Sequence, residues 1–392
     1  DKREYCMKLA VCLYKYFPYG GLARDFVSIL SICRDHGYQI DVFVMESQGG
    51  VPEGFNIEVI QTQGRSNHSR VASYIEQLKP KLLDESYDLV IGFNKIPDLD
   101  IYYAADPCYL DRVKNQRDYW LAKFSPRVKF YSKCESRVFS NSSHTVSLMI
   151  SDIQRDLFKK HYDTPDERLI MLPPGINDNR RRPDDWQHQR QHFRQQFSIA
   201  DNELLMLAVG TGFKTKGIDR SIQALANLPS NLRIRTRLFI IGEGDNSPYQ
   251  KEANRLAIAD QVQFFGGRDD IPQFLLGADL LLHPARKENT GTVILEAVAA
   301  GLPVLVAGEC GYAKHVNKAR AGLVTDRPFN QNEFELKLLT MLDNVRLKDC
   351  SKNALAYAEQ EDLYSMPIKA AAIIEQMAKA KKNSENTRER QN

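Results

Sequence analysis

Apolar runs of strand length alternate with stretches of helical periodicity along most of the chain, and that alternation predicts parallel α/β units. In the first half the strand-length runs fall at 9–13, 40–45, 89–93 and 146–150, with helices such as 22–36 between them. They predict one Rossmann-like sheet. The pattern stops at Leu172-Pro173-Pro174-Gly175, and the stretch 177–196 that follows is dense in Arg, Asp, Gln and His. It reads as a hinge and a polar surface helix. A second series then places strands at 204–209, 238–241, 280–282 and 304–306, with helices starting near Lys216, Ser247, Thr290 and Asn330. The expected fold class is α/β with two Rossmann-like domains, over 1–175 and 176–362, and a low-complexity tail at 381–392 that reads as disordered.

Composition narrows the class without naming it. A length of 392 residues exceeds one ordinary core, in keeping with two domains. Apolar residues at 43% and charged residues at 26% are ordinary for a soluble globular chain. The net charge of +3 identifies no partner, and the basic residues form no nucleic-acid-binding motif, so nucleic acid is excluded as a partner. Seven scattered cysteines without a C-x-x-C pair argue against a disulfide framework or a zinc site and fit a reducing cytoplasm. None of the eight histidines has metal spacing, and His283 and His315 read as structural. The apolar run from Met7 is too short for a signal peptide or a membrane span, and Met7 is a candidate natural start.

The strongest chemical signal is Glu288-Asn289-Thr290-Gly291-Thr292-Val293-Ile294-Leu295-Glu296, placed after the strand at 280–282 and opening a helix. A helix start preceded by Gly and Thr presents backbone N–H groups and a positive dipole end, which suits a diphosphate. The flanking carboxylates suit sugar and ribose hydroxyls. The competing interpretation is a polar loop capped by Thr290 with a surface Glu. Gly20-Gly21 follows the first strand, where missing Cβ atoms let backbone approach a phosphate, or where the chain simply turns into a helix. Asp106 follows an apolar strand and precedes Pro107, a position that suits a helix N-cap. Asp98-Leu99-Asp100 matches a D-x-D metal motif only superficially, since that motif belongs to a different architecture.

Residues 109–139 depart from their surroundings. Eight cations (Arg112, Lys114, Arg117, Lys123, Arg127, Lys129, Lys133, Arg137) face three acids, and seven aromatics are interleaved with them. Pro126 divides the segment into two predicted helices. Cations beside Trp, Tyr and Phe on short amphipathic helices suit an anionic membrane surface. The alternative is that the aromatics pack on the sheet while the cations are solvated.

The Glu-x7-Glu segment, with Ala278-Asp279-Leu280-Leu281-Leu282-His283-Pro284 before it and Ala300-Gly301-Leu302-Pro303-Val304 after it, resembles the retaining GT-B glycosyltransferases. The segment Leu13-Tyr14-Lys15-Tyr16-Phe17-Pro18-Tyr19-Gly20-Gly21-Leu22, together with Gly92-Phe93-Asn94-Lys95, Tyr103-Ala104-Ala105-Asp106 and Cys310-Gly311-Tyr312-Ala313, narrows the match. It is similar to the lipopolysaccharide core glucosyltransferase I family of Gram-negative bacteria, from about Met7 to about Ala380. That resemblance implies two Rossmann-like domains facing each other across a donor-binding cleft, with a helix at 363–380 returning to the first. It implies transfer of a hexose from a UDP-sugar to a heptose of the lipopolysaccharide core, with retention and without a metal or cofactor. Glucose is the expected sugar, with galactose and N-acetylhexosamine left open. An epimerase and an inert nucleotide-sugar binder are the competing functions. By the same resemblance Gly20, Gly21, Gly291, Thr292 and Val293 touch the donor, Asp25 lies near the transferred sugar, Glu288 holds that sugar and Glu296 the ribose. Lys216 neutralises the leaving diphosphate, and Asp106 is a carboxylate at the reaction centre instead of a cap. Where many members carry an Arg just before that Lys, this chain has Thr211, Gly212 and Thr215, leaving Lys214 as either the second cation or a solvated side chain. Peripheral binding to the cytoplasmic face of the inner membrane through 109–139 is implied as well.

Overall fold

The computed structural model describes residues 7–17, 21–50, 52–84, 87–116 and 119–389, and they divide into two compact units. Unit 1 comprises Asp1–Gly175 with Ser365–Asn392, and unit 2 comprises Ile176–Tyr364.

In unit 1 the strands are β1 (Lys8–Tyr16), β2 (Gln39–Ser47), β3 (Asn56–Val59), β4 (Leu89–Gly92), β5 (Ile101–Ala104), β6 (Val146–Met149) and β7 (Leu169–Met171). They form one parallel sheet in the order β3-β2-β1-β4-β5-β6-β7. β1 is an interior strand, and its residues 9–13 are fully buried because helices cover both faces. Helices α1 (Gly21–Asp35), α2 (Asn67–Asp84), α3 (Tyr109–Lys114), α4 (Tyr119–Ala122), α5 (Pro126–Phe139) and α6 (Asp152–Tyr162) make the connections. The chain first builds outward from β1 to β3, then crosses to β4 on the other side. The C-terminal ends of β1 and β4 therefore flank a topological switch point, where sheets of this kind hold ligands.

Unit 2 opens with α7 (Trp186–Gln196) and continues through β8 (Leu204–Val209), α8 (Phe213–Lys216), α9 (Ile218–Ala226), α10 (Ser230–Arg233) and β9 (Thr236–Ile241). Next come α11 (Ser247–Arg255), β10 (Val262–Phe264), α12 (Ile271–Gly277), β11 (Leu280–His283), α13 (Thr292–Ala299) and β12 (Val304–Val306). The unit closes with α14 (Ala313–Ala319), β13 (Gly322–Val324), α15 (Gln331–Met341) and α16 (Asn344–Gln360). Its parallel sheet runs β10-β9-β8-β11-β12-β13. The switch point lies between β8 and β11, whose register sets Leu280 opposite Met206 and Leu281 opposite Leu207.

The last helix, α17 (Met366–Glu389), belongs to unit 1. Met366, Ala370, Ile374 and Ala378 recur every four residues and join the buried cluster of β1 and α1, as a helical stripe of small and apolar side chains should. Three differences from the sequence expectation have physical causes. The helix does not end at 380: it continues to Glu389, and Lys381 pairs with Asp100 at 2.8 Å, since no Gly or Pro interrupts good helix formers there. The polar helix α7 is not merely superficial. Arg190 and Arg194 grip Asp279 and the carbonyls of residues 276–278, satisfying the end of α12. Segment 109–139 holds three helices rather than two.

Candidate active site

The site in unit 2 is assembled by the loops after β8 and β11. Leaving β8, the chain passes Gly210, where an added Cβ would lie 2.7 Å from Cε of Lys216, so the lysine stem runs across the glycine. Gly217, at φ +71°, ends α8 with its missing Cβ only 2.1 Å from the carbonyl oxygen of Pro284. Side chains stitch the two loops together. Arg286 pairs with Asp219 at 2.6 Å and donates to the carbonyl of Lys214, while Arg220 donates to that of Pro284.

These contacts bring Lys216 Nζ into an ion pair with Glu288 Oε2. His283 Nε2, from the last residue of β11, lies 3.3 Å from the same oxygen. Burial pushes the Glu288 carboxyl up, but the His283 hydrogen bond and the charge of Lys216 outweigh it and hold the group at about 2. The cluster is therefore an ionised carboxylate, mostly shielded from water, with a cation against it.

Gly291 at φ +87° is the N-cap of α13, and no side chain caps that helix, so the Thr290 cap interpretation is set aside. A helix start directs its first N–H groups away from the intrahelical ladder, and α13 begins with Thr292 and Val293. The loop is pinned from the next connection: Gly311 N donates to Glu288 O and Tyr312 N to Thr290 O. Glu296 lies on the inner side of α13, only 5% exposed, with Arg180 Nε 3.3 Å away. Lys214 is exposed and forms no ion pair among the described residues.

In unit 1, Gly21 begins α1, while Gly20 lies outside the described residues. Asp25 accepts a 2.8 Å hydrogen bond from the Tyr103 hydroxyl, and burial raises its carboxyl above the usual range despite Arg24 nearby. Asp106 is not a helix cap, because α3 is preceded by Cys108. Its Oδ2 accepts from Asn94 Nδ2 at 3.1 Å, and Asn94 Oδ1 accepts from Tyr14 N at 2.8 Å. The C-terminal part of β1 and the residues after β4 and β5 are thereby tied together. Asp98 and Asp100 take separate partners, Arg137 and Lys381.

Sequence reasoning missed His283, read as structural, although its place at the C-terminal end of a strand beside the switch point could have flagged it. It also missed the buried pair of Lys95 with Glu135, which is 0% exposed and also accepts from Tyr109 N, Leu110 N and the Tyr162 hydroxyl. The aromatics of 109–139 divide. Phe139 is fully buried and stacks on Phe158 at 3.6 Å, whereas Trp120 and Phe124 are 73 and 65% exposed, as is the aliphatic Leu121 at 78%. Lys123 lies over the Trp120 and Phe124 rings at 4.4 and 5.0 Å.

Two parallel Rossmann-like sheets, with a Glu-x7-Glu helix start at the second switch point, define a glycosyltransferase of the GT-B fold. Residues 189–357 match the family described as Glycosyl transferases group 1. Lipopolysaccharide glucosyltransferase WaaG of Escherichia coli strain K12 is 40% identical over 369 residues, 94% of this chain and 98% of that protein. The chain belongs to that family of glucosyltransferases and is a hexosyltransferase, which removes the epimerase and the inert binder. A crystal structure of WaaG, described as a glycosyltransferase involved in lipopolysaccharide biosynthesis, is similar with a TM-score of 0.88 at 39% identity, covering 93% of this chain and 99% of that one. The fold is shared by Anabaena HepE in complex with UDP-glucose, TM-score 0.72 at 19% identity over 94 and 100% of the two chains.

Proposed function

We propose that this enzyme transfers glucose from UDP-glucose to a heptose of the lipopolysaccharide core, with retention at the anomeric carbon and without a metal. The observation that carries this is the Lys216–Glu288–His283 cluster beside the N-terminus of α13. Lys216 is paired with Glu288. A bound diphosphate competes for Lys216 and for the helix-end N–H groups, which frees the Glu288 carboxylate to accept hydrogen bonds from the hexose hydroxyls. As the bond from C1 to the diphosphate breaks, negative charge grows on the phosphate oxygen that these groups already face. The acceptor oxygen then bonds to C1 on the same side, and its proton passes to the departing phosphate. No protein nucleophile is required. Glu296, on the same helix, suits the ribose hydroxyls, and the exposed Lys214 would add a second cation on the diphosphate. Glucose is favoured by the likeness to WaaG, which is a glucosyltransferase.

The exposed Trp120, Leu121 and Phe124, set among cations, support peripheral attachment to the anionic cytoplasmic face of a membrane, where a lipid-anchored acceptor would lie. Among the described residues no helix is long and apolar enough to cross a membrane.

Lys216→Ala tests the cluster. Steady-state kinetics with UDP-glucose should show kcat and kcat/KM falling together by about a hundredfold, since a charge acting mainly in the transition state is lost. Chelator should leave the wild type unchanged. A rise in donor KM alone, or loss of activity in chelator, would contradict the assignment.

A further inference from the structure

A separate cavity of about 140 Å³ lies wholly within unit 1, lined by Tyr14, Asp106, Tyr109, Arg112 and Tyr131, with Lys95 and Cys134 behind them. Its walls are built from buried polar bonds. Lys95 Nζ pairs with the fully buried Glu135 and donates to the Pro107 carbonyl at 2.6 Å. Glu135 also accepts from Tyr109 N at 2.6 Å and Leu110 N at 2.9 Å, so the segment 107–110 is fixed on both sides of its backbone. Asn94 holds Asp106 from the front. Burying two charges costs several kcal/mol unless hydrogen bonds compensate; here Glu135 accepts from Lys95, Tyr109 N, Leu110 N and the Tyr162 hydroxyl, and Lys95 donates to Glu135 and to the Pro107 carbonyl. An apolar pair of equal volume would fill the same space, so the arrangement points to a need for placing Asp106 and Tyr109 accurately.

The remaining lining has the chemistry of a saccharide subsite. Tyr109 and Tyr131 lie 5.5 Å apart between ring centroids, at 50° to each other, and offer apolar faces to the C–H side of a sugar ring. Asp106 offers a carboxylate to a hydroxyl. Arg112 stands at the exposed rim, its guanidinium 4.9 Å from the Tyr109 ring, and makes no ion pair among the described residues. Its neighbour Asp111 is already engaged by His161 at 3.0 Å and by Asn115. A planar guanidinium without an ionic partner, at the mouth of a pocket, matches a phosphate or carboxylate group bidentately.

We infer that this cavity is the subsite for the acceptor saccharide, with a sugar ring against Tyr109 and Tyr131, its hydroxyl on Asp106, and an anionic substituent of the same oligosaccharide on Arg112. The inference rests on the glycosyl-transfer reading above. The anion is either a phosphate ester or the carboxylate of a sugar acid.

The test uses the full chain, UDP-glucose and three acceptors: heptose-terminated core oligosaccharide as isolated, the same after dephosphorylation, and the same after carboxylate reduction. Arg112 is exposed, so Arg112→Gln leaves folding intact, and Tyr131→Leu provides a second variant. On the untreated acceptor both variants should raise acceptor KM about tenfold or more. The Kd for UDP, measured by titration calorimetry, should match the wild type. The Arg112→Gln penalty should vanish on the dephosphorylated acceptor if the anion is phosphate, and on the reduced one if it is carboxylate. Either result supports the assignment. Wild-type transfer with acceptor KM unchanged in both variants overturns the pocket alone, as does an Arg112→Gln penalty that survives removal of each anion. A wild type that transfers to none of the three acceptors overturns the acceptor reading and the pocket together.

Discussion

Glu288 is held by opposing forces, and their balance makes it testable. Its folded carboxyl sits near 2 against an ordinary 4.5, so the pairing with His283 and Lys216 stabilises the fold above about pH 4.5. That contribution is lost as pH falls from there toward 2, and its size is on the order of 3 kcal/mol. Glu288→Gln should therefore lower Tm near neutrality, and the gap to wild type should narrow as the buffer is taken from pH 6 to pH 3. A gap that stays constant or widens in thermal melts over that range would contradict the pairing. At this scale the sequence was legible where spacing carries meaning: Glu288, Gly291 and Glu296 lie on one strand-end loop and its helix. Lys216 entered through family likeness alone. His283 was hidden because a lone histidine beside Pro284 has no spacing to interpret, and Glu135 because its partner Lys95 lies 40 positions away. Such pairs exist only once the sheet brings distant loops together.

Between residues and fold, the connections after β8, β11 and β12 behave as one device locked by close backbone contacts. Gly311 is the tightest: an added Cβ would stand 2.0 Å from the Asn289 carbonyl oxygen, inside the Glu-x7-Glu loop. Backbone cannot yield as a flexible side chain can, so Gly311→Ala should displace Asn289 and the adjacent helix start. The expected cost is about 1–3 kcal/mol of stability, with UDP affinity reduced roughly tenfold or more by calorimetry. Gly50→Ala, where a Cβ meets nothing within 4 Å, is the control and should change neither. Equal UDP affinity in the two variants would contradict the locking. The long buried strands β1, β2 and β8 were visible as continuous apolar runs, and β12 falls on the expected 304–306. β3, β7, β10 and β13 were not, since three or four residues at the edge of a sheet carry too little periodicity. The single predicted break at Pro126 missed α4, a four-residue helix held mainly by local turns.

At the scale of the whole molecule, the distribution of charge and apolar surface separates what holds unit 1 together from what faces outward. Glu135, counted among the acids of 109–139, is buried against Lys95, so the outer face of this segment is more positive than its composition suggests. Trp120, Leu121 and Phe124 project from that face, each worth about 1.5–3 kcal/mol if withdrawn from water. Co-sedimentation with anionic vesicles should be weakened at every salt concentration by the combined change of these three residues to Gln. Changing Lys123, Arg127, Lys129 and Lys133 to Gln should instead remove its salt dependence. Binding equal to wild type in both variants would show that the segment is not the anchor.

The bond that is made tests the proposed transfer most directly. UDP-glucose carries its glucose in α linkage, so retention delivers an α-glucoside. The purified chain, incubated with UDP-glucose labelled at C1 and a heptose-terminated core oligosaccharide, gives a product whose anomeric signal is read by NMR. One added glucose, a small H1–H2 coupling characteristic of the α-anomer, and a cross-peak from that anomeric proton to a heptose ring proton are expected. A large coupling, or label appearing only as free glucose while the heptose stays unsubstituted, would contradict the proposed transfer.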